Sequence, residues 1–396
     1  MENRKLFTVL LIAAFAIGIL LRISFLNVSQ YNMGPDESFY LRYANIFAEK
    51  GLPSINGMAI EYIANAGMHL FPNPTRIGQI VMSGLWLKML NGFDFNALVR
   101  MSAFFSILSL FVGYLFAKKL FDEKIALLSL MLFAVSPLNL ALARRALQDG
   151  TIYFFVLLTL YAFYIALKRQ SRVAYIFFIV SFFICVMVKE STVLLAAFFA
   201  FFILWDRTFY NKSLNVLLPA ISIAAAFVFI TVAYLVFIGQ DNLVRLVNII
   251  STSPMTNEYA RMYQSGSLLR YLIDFILISP LTVIAAAGFF VLFITGNIAQ
   301  DDASFYLVTF FIISYMVYSL FSKNLRYVIF LDLPIRILAA VFMSKLFTRF
   351  GNKAFALSVS AVMAVAVTDF LLFKHIFLTC AVYDPVTVNL LNAWQH

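Results

Sequence analysis

The chain is short of charge. Only 12% of its 396 residues are Asp, Glu, Lys or Arg, and histidine occurs three times. A soluble domain of this size carries roughly a quarter charged residues to build its polar shell, so a water-soluble globule is excluded. Cysteine is scarce too. Cys185 lies inside an apolar run and Cys380 near the C-terminus, which gives no disulfide framework. A basic domain is also missing. The net charge of +10 is scattered over the ends of apolar segments, which excludes nucleic acid as a partner and matches cations placed beside a membrane. Internal repeats and low-complexity stretches are absent.

What is present is apolar. Hydrophobic residues make up 63% of the chain and the mean hydropathy is +0.92. They fall in blocks, and a block of about 20 residues crosses a bilayer core as helix. Membrane strands would give shorter, alternating signals. The pattern predicts an all-α, polytopic membrane protein with about eleven transmembrane helices: 6–24, 96–117, 125–142, 151–168, 173–188, 191–205, 214–238, 268–294, 303–321, 327–347 and 354–374. Arg4 and Lys5 precede the first block as in a signal peptide. No small-residue cleavage site precedes Arg22, so this segment reads as a retained helix.

Residues 76–91 decide the orientation of everything after them. The stretch is short and interrupted by Arg76, Gln79 and Lys88, which fits a helix lying in the interface. If it does not cross, Arg4, Lys5, Lys118, Lys119, Lys124, Lys168, Arg169, Arg172, Arg207, Lys212, Lys345, Arg349 and Lys353 all fall on the inner side, as the positive-inside rule requires. The organisation is then one transmembrane domain, 1–396. A first outer loop at 25–95 carries interfacial helices and the catalytic groups. A second outer loop follows at 239–270, and 375–396 is a short outer tail. The location expected is the cell membrane, with the site facing the outside or the periplasm. Arg144, Arg145, Lys189, Lys323 and Arg326 resist the inside bias by sitting in short outer turns; a phosphate-bearing substrate would explain them.

Candidate chemistry lies on that outer side. Met33-Gly34-Pro35-Asp36-Glu37-Ser38-Phe39-Tyr40 opens the first loop, and the Gly-Pro turn starts a helix running to about Ala48. In the plain reading Asp36 caps this helix and Glu37 favours its dipole. In the functional one the two carboxylates face a substrate. Arg144-Arg145-Ala146-Leu147-Gln148-Asp149 forms a second site, with Asp149 as a cap or an active carboxylate. Lys189-Glu190 interrupts an apolar run. Arg326-Tyr327, Asp332, Pro334 and Arg336 bring ions into the tenth span, where they are costly, and Asp332 and Arg336 can neutralise each other four residues apart. His69 with Asp36, Glu37 and Asp149 would make a divalent metal site. His375 and His396 read as solvated.

The order of these pieces resembles the GT-C membrane glycosyltransferases, especially the protein O-mannosyltransferase and lipid A aminoarabinose transferase group. The matching elements are Asp36-Glu37 with Tyr40, the interfacial helix ending Leu90-Asn91-Gly92-Phe93 before Arg100, Arg145 to Asp149, Val188-Lys189, and Arg326-Tyr327 with Pro334. The resemblance implies a polyprenyl-phosphate sugar as donor, Asp36 as base and inversion at the anomeric carbon. Two elements depart from it: Glu61-Tyr62 is followed by Ile63-Ala64-Asn65 instead of completing a Glu-Lys-Pro element, and the sequence shows no long soluble C-terminal domain.

The function expected is transfer of a sugar from a polyprenyl-phosphate carrier to a hydroxyl of a glycan, lipid or protein on the outer face. Asp36 would be the base, with Glu37 and Asp149 positioning the acceptor. Tyr40, Arg144, Arg145, Lys189, Arg326 and Tyr327 would bind substrate, the cations facing the phosphate. The 239–270 loop, with Ser253-Pro254, Tyr259 and Tyr263, would help to cover the site. Membrane lipids are the surrounding partners, and no cofactor is required, since several cations can meet a monophosphate leaving group. The rivals are a transporter or flippase of a lipid-linked sugar, a non-catalytic scaffold, and a ligase or polymerase using a pyrophosphate-linked glycan.

Overall fold

The computed structural model describes residues 2–24, 26, 33–209 and 216–395. Helix accounts for 83% of it, with no strand among the described residues, so the all-α class holds. In chain order the helices are α1 (Glu2–Ser24), α2 (Pro35–Lys50), α3 (Ser54–Ala64), α4 (Ile77–Leu90), α5 (Phe95–Leu120), α6 (Glu123–Ala134) and α7 (Pro137–Ala143). Next come α8 (Asp149–Arg169), α9 (Arg172–Val188), α10 (Leu195–Phe209), α11 (Leu217–Phe237), α12 (Gln240–Thr256) and α13 (Glu258–Tyr263). The chain ends with α14 (Arg270–Ile278), α15 (Pro280–Ile294), α16 (Asp302–Tyr318), α17 (Asp332–Leu346), α18 (Ala354–Leu372) and α19 (Thr387–Gln395).

Each expected span finds helix, though not always one helix. Among the described residues, five helical runs are long and apolar enough to cross a membrane: Arg4–Ser24, Phe95–Leu120, Asp149–Arg169, Leu217–Phe237 and Thr348–Thr379, the last kinked at Gly351. The chain is a multi-pass membrane protein. The expected span 125–142 is a pair, α6 and α7, bent by 56°. The break precedes Pro137, whose missing N–H suits the first turn of a new helix. Pro280 divides 268–294 into α14 and α15 in the same way. The span expected from residue 327 begins with two 3₁₀ turns, so its α-helix starts only at Asp332. Lys212, His396, residues 27–32 and the start of the 214–238 span lie outside the described residues, as do the side chains of Arg207, Ser253 and Pro254.

The chain divides into two compact units. One comprises Met1–Phe25, Ser106–Ala143 and Gly266–His396; the other comprises Leu26–Phe105 and Arg144–Ser265. In the second unit, α4 rises about 21 Å at 1.5 Å per residue, short of a hydrocarbon core of about 30 Å. It packs on α2 and α9 through two glycines. A Cβ at Gly84 would lie 2.5 Å from Phe47, and one at Gly78 would lie 2.9 Å from the backbone of Met187. The expected loop 239–270 is helical: α12 packs against α3 and the 3₁₀ turn Ala66–Leu70.

In the first unit an ionic network holds the bend after α6. Arg22 donates to Ser106 Oγ at 2.7 Å, Gly18 O at 2.8 Å and Ala134 O at 3.1 Å, and it also bonds Asn139. Arg336 donates to both oxygens of Asp332 at 3.0 and 3.1 Å, to Asp369 Oδ2 at 2.6 Å and to Leu132 O at 3.0 Å. Both arginines are fully buried. They satisfy carbonyls that α6 leaves open at its C-terminus, where a cation is favoured. The expected Asp332–Arg336 pairing is present, with Asp369 as a third member.

Candidate active site

Residues 33–40 separate the two carboxylates that the sequence places side by side. Gly34 is the N-cap of α2, in extended conformation, and Pro35 occupies the first helical position. Glu37 reaches back from N3, accepting the Gly34 N–H at 2.7 Å, which is half of a capping box. Asp36 is therefore not the cap; the plain reading of it is corrected. Glu37 is fully buried. Its Oε1 accepts from Arg145 Nε at 3.1 Å and from the Ala146 N–H at 2.9 Å, and its Oε2 accepts from Arg145 Nη2 at 3.0 Å. Such a forked, buried pair fixes the start of α2 to the 144–148 turn.

Asp36 faces a different environment. It is half-buried and lines a cavity of about 180 Å³ with Tyr62, His69, Leu70, Phe71, Pro72, Asn73, Arg76, Glu190 and Ile250. Tyr40 follows one turn later on the same helix face, and the Arg76 guanidinium bonds its hydroxyl. Arg76 also donates to Glu190, Nε to Oε2 at 3.1 Å and Nη2 to Oε1 at 3.3 Å. Asn73 Nδ2 donates to Glu190 Oε1 at 3.1 Å. One line of contacts thus runs from the Asp36 face of α2 through Tyr40 and Arg76 to the turn after α9. Burial disfavours the charge on Glu190, but Arg76 and Asn73 outweigh it and hold its carboxyl below the usual range. Burial likewise opposes the charge on Arg76, and Glu190 with Tyr40 raises its pKa well above normal. Burial pushes the Tyr62 hydroxyl up to about 12, so it stays protonated. His69 Nε2 lies 2.9 Å from Tyr62 O; a carbonyl can only accept, so this nitrogen carries the proton.

The remaining expected residues fall as follows. Asp149 is fully buried in the first turn of α8, and Arg144, Arg145 and Lys189 are all buried in the same unit. Lys189 closes α9, its N–H donating to Cys185 O at 3.2 Å. Ile250 of α12 reaches the cavity, whereas Tyr259 and Tyr263 pack against each other with ring centroids 4.9 Å apart and their planes tilted by 36°. Arg326 and Tyr327 belong to the other unit. There Arg326 Nη1 lies 3.7 Å from Asp384 Oδ1, which also accepts from Asn324 at 2.6 Å. The grouping of His69 with Asp36, Glu37 and Asp149 does not form, and no cluster of three or more metal-ligating side chains exists among the described residues. His375, expected in solvent, is half-buried with Nε2 2.7 Å from Ala393 O. The cavity residues that the sequence did not single out for chemistry are Tyr62, Asn73 and Arg76.

Comparison with known proteins agrees with this architecture. A family model described as dolichyl-phosphate-mannose-protein mannosyltransferase matches residues 84–238, less than half of the chain. The structure of ArnT from Cupriavidus metallidurans bound to undecaprenyl phosphate is similar at 15% identity, with a TM-score of 0.59, over 94% of this chain and 65% of that one. The oligosaccharyltransferase AglB from Archaeoglobus fulgidus, in complex with an inhibitory peptide and a dolichol-phosphate, is similar at 12% identity, with a TM-score of 0.60, over 94% of this chain and 56% of that one. The chain thus spans less than two thirds of these relatives' length. No curated protein matches it in sequence. The resemblance to GT-C proteins read from the ordered motifs is shown, and the fold is theirs.

Proposed function

We propose that the chain is a membrane glycosyltransferase that moves a sugar from a polyprenyl-phosphate carrier to an acceptor hydroxyl on the outer face, with inversion. The observation that carries this reading is Asp36: a carboxylate on a helix face, lining a polar cavity and distinct from the capping Glu37. The acceptor oxygen attacks the anomeric carbon as Asp36 takes its proton. The bond from that carbon to the phosphate oxygen breaks, and its electron pair leaves with the lipid phosphate. Lys189, next to Glu190 of the cavity, and Arg144 would stabilise that charge. Arg145 is committed to Glu37, so its role becomes fixing the helix that carries Asp36. All three comparisons bear on the donor: the family description names a dolichyl-phosphate mannose, and the two structures hold undecaprenyl phosphate and a dolichol-phosphate.

The test is Asp36→Asn, assayed for transfer from a panel of polyprenyl-phosphate sugars in proteoliposomes. Loss of a general base lowers turnover about 10²–10⁴-fold, and the unfolding temperature should not move. Turnover close to wild type would remove Asp36 from the chemistry. Movement of the intact lipid-linked sugar without cleavage would favour a transporter.

A further inference from the structure

We propose that the first unit binds one anionic phospholipid, with an acyl chain in the apolar groove between α1, α6 and α18 and the headgroup beside Lys374. The inference goes beyond sugar transfer and rests only on the membrane-spanning character of these helices.

Three seams in the sequence make the groove. Its volume is about 310 Å³, and the twelve residues lining it are all apolar, from Leu10 to Leu21 on α1, Met131 to Val135 on α6 and Met363 to Phe370 on α18. On each helix they recur three and four residues apart, so each helix turns one stripe to the same space. Met131 and Ala134 form a buried floor, whereas Met363 and Val367 on the rim are exposed. Both α1 and α18 pack on α6. Arg22 ties α1 to α6 through Ala134 O, and Arg336 ties α6 to α18 through Leu132 O and Asp369. Buried ionic networks thus set the walls, and the groove is formed before anything fills it.

Size and surroundings choose the occupant. Leu10 to Leu21 covers about 17 Å along α1 at 1.5 Å per residue. That is close to half of a hydrocarbon core of about 30 Å, so one leaflet's chain matches the groove end to end. The helical runs containing α1 and α18 are both long and apolar enough to cross a membrane, so this face meets lipid tails instead of water. A helix from a second copy, about 10 Å wide, would need about 1,300 Å³ over that length, several times what the groove holds.

Charge chooses the headgroup. The lining stripe of α18 ends at Phe370, and four residues on, one turn further along the same helical run, stands Lys374. It is exposed, and it lies in the π-helical stretch Phe373–Thr379 that continues α18. A lipid whose chain enters from this end brings its phosphate to the ammonium, and a net negative headgroup gains more there than a neutral one.

The experiment is native mass spectrometry of the full-length protein with phosphatidylglycerol and phosphatidylcholine carrying the same acyl chains. Wild type should retain one phosphatidylglycerol about fivefold more tightly than phosphatidylcholine, the effect of one cation near a headgroup. Ala13→Trp fills the groove and should weaken retention of both lipids about tenfold, because excluding two methylenes already costs that much. Val367→Trp, on the exposed rim, should act in the same direction and serves if Ala13→Trp does not fold. Lys374→Ala should abolish the preference for phosphatidylglycerol and leave retention of phosphatidylcholine unchanged. Retention unmoved by filling the groove, or a preference unmoved by Lys374→Ala, would overturn the inference. Displacement of the bound lipid by one equivalent of undecaprenyl phosphate would also overturn it, by giving the groove to the sugar donor. So would a dimer that Ala13→Trp dissociates, which would give this face to a second copy.

Discussion

The two compact units treat their buried ions in opposite ways. In the first, Arg336 spends its donors on Asp332, Asp369, Leu132 O and Ser279 Oγ, and Ser136 and Thr282 donate to the two carboxylates in turn. The network closes on itself around the α6–α7 bend. In the second, Arg76, Glu190 and Asn73 form a similar link, but along the wall of a cavity that Asp36 also lines. An ion within a membrane-spanning segment is a functional candidate by default. Here the ions of the tenth span hold a broken helix together, and the ions outside the spans surround the space. Connectivity tells them apart: the structural network ends on backbone carbonyls, and the other borders a void.

The largest expected effect breaks the closed network. Arg336→Met leaves Asp332 and Asp369 buried without their counter-ion, and loss of one partner from a buried pair costs about 3–5 kcal/mol. Little folded protein should survive detergent extraction, as size-exclusion chromatography would show. Adding Asp332→Asn and Asp369→Asn to Arg336→Met should recover part of the yield. A stable single variant would mean that the bend does not depend on this network.

A smaller loss is expected at Glu37, where structure and chemistry separate most sharply. Gly34 and Ala146 donate to different oxygens of Glu37, so Glu37→Gln keeps an acceptor for only one of them and leaves Arg145 with a neutral partner. Hydrogen bonds to charged groups contribute about 1.5–3 kcal/mol each, so the unfolding temperature should fall. Any loss of transfer should follow the folded fraction. Full stability combined with lost turnover would return Glu37 to the chemistry and blur the division between the two carboxylates.

Much of this organisation was legible in the sequence. Apolar block length located the helices of the expected spans but not α3, α12, α13 or α19, which lie in segments read as loops or tail, and the interruptions at Arg76, Gln79 and Lys88 are the reason for reading α4 as interfacial. Pro137 and Pro280 signalled the breaks within two expected spans, but continuous hydropathy masked them. Gly34-x-x-Glu37 held the capping-box spacing, so the cap could have been assigned there. What the sequence could not supply were pairings between distant positions. Glu37 meets Arg145 across 108 residues and Arg76 meets Glu190 across 114. No local pattern encodes such contacts. Arg76 therefore read only as an obstacle to membrane crossing, and Glu190 only as part of a hairpin turn.

The smallest effect is expected at Glu61, where the first loop lacks the Glu-Lys-Pro element that a resemblance to the aminoarabinose transferases implies. Its carboxylate pairs with Arg42, and both side chains are more than 40% exposed, at 43% and 42%. Tyr62, the next residue, is buried and lines the cavity. The chain here turns its aromatic ring inward and its carboxylate outward. Exposed pairs contribute about 0–1 kcal/mol, because water screens them and two long side chains must be ordered. Arg42→Ala should therefore leave thermal stability and transfer close to wild type, while Tyr62→Phe, which removes only a hydroxyl from the cavity, should lower transfer. A marked loss of transfer in Arg42→Ala would show that the pair orients α3 against the site. The boundary between structural and chemical ions would then run through the second unit instead of around its cavity.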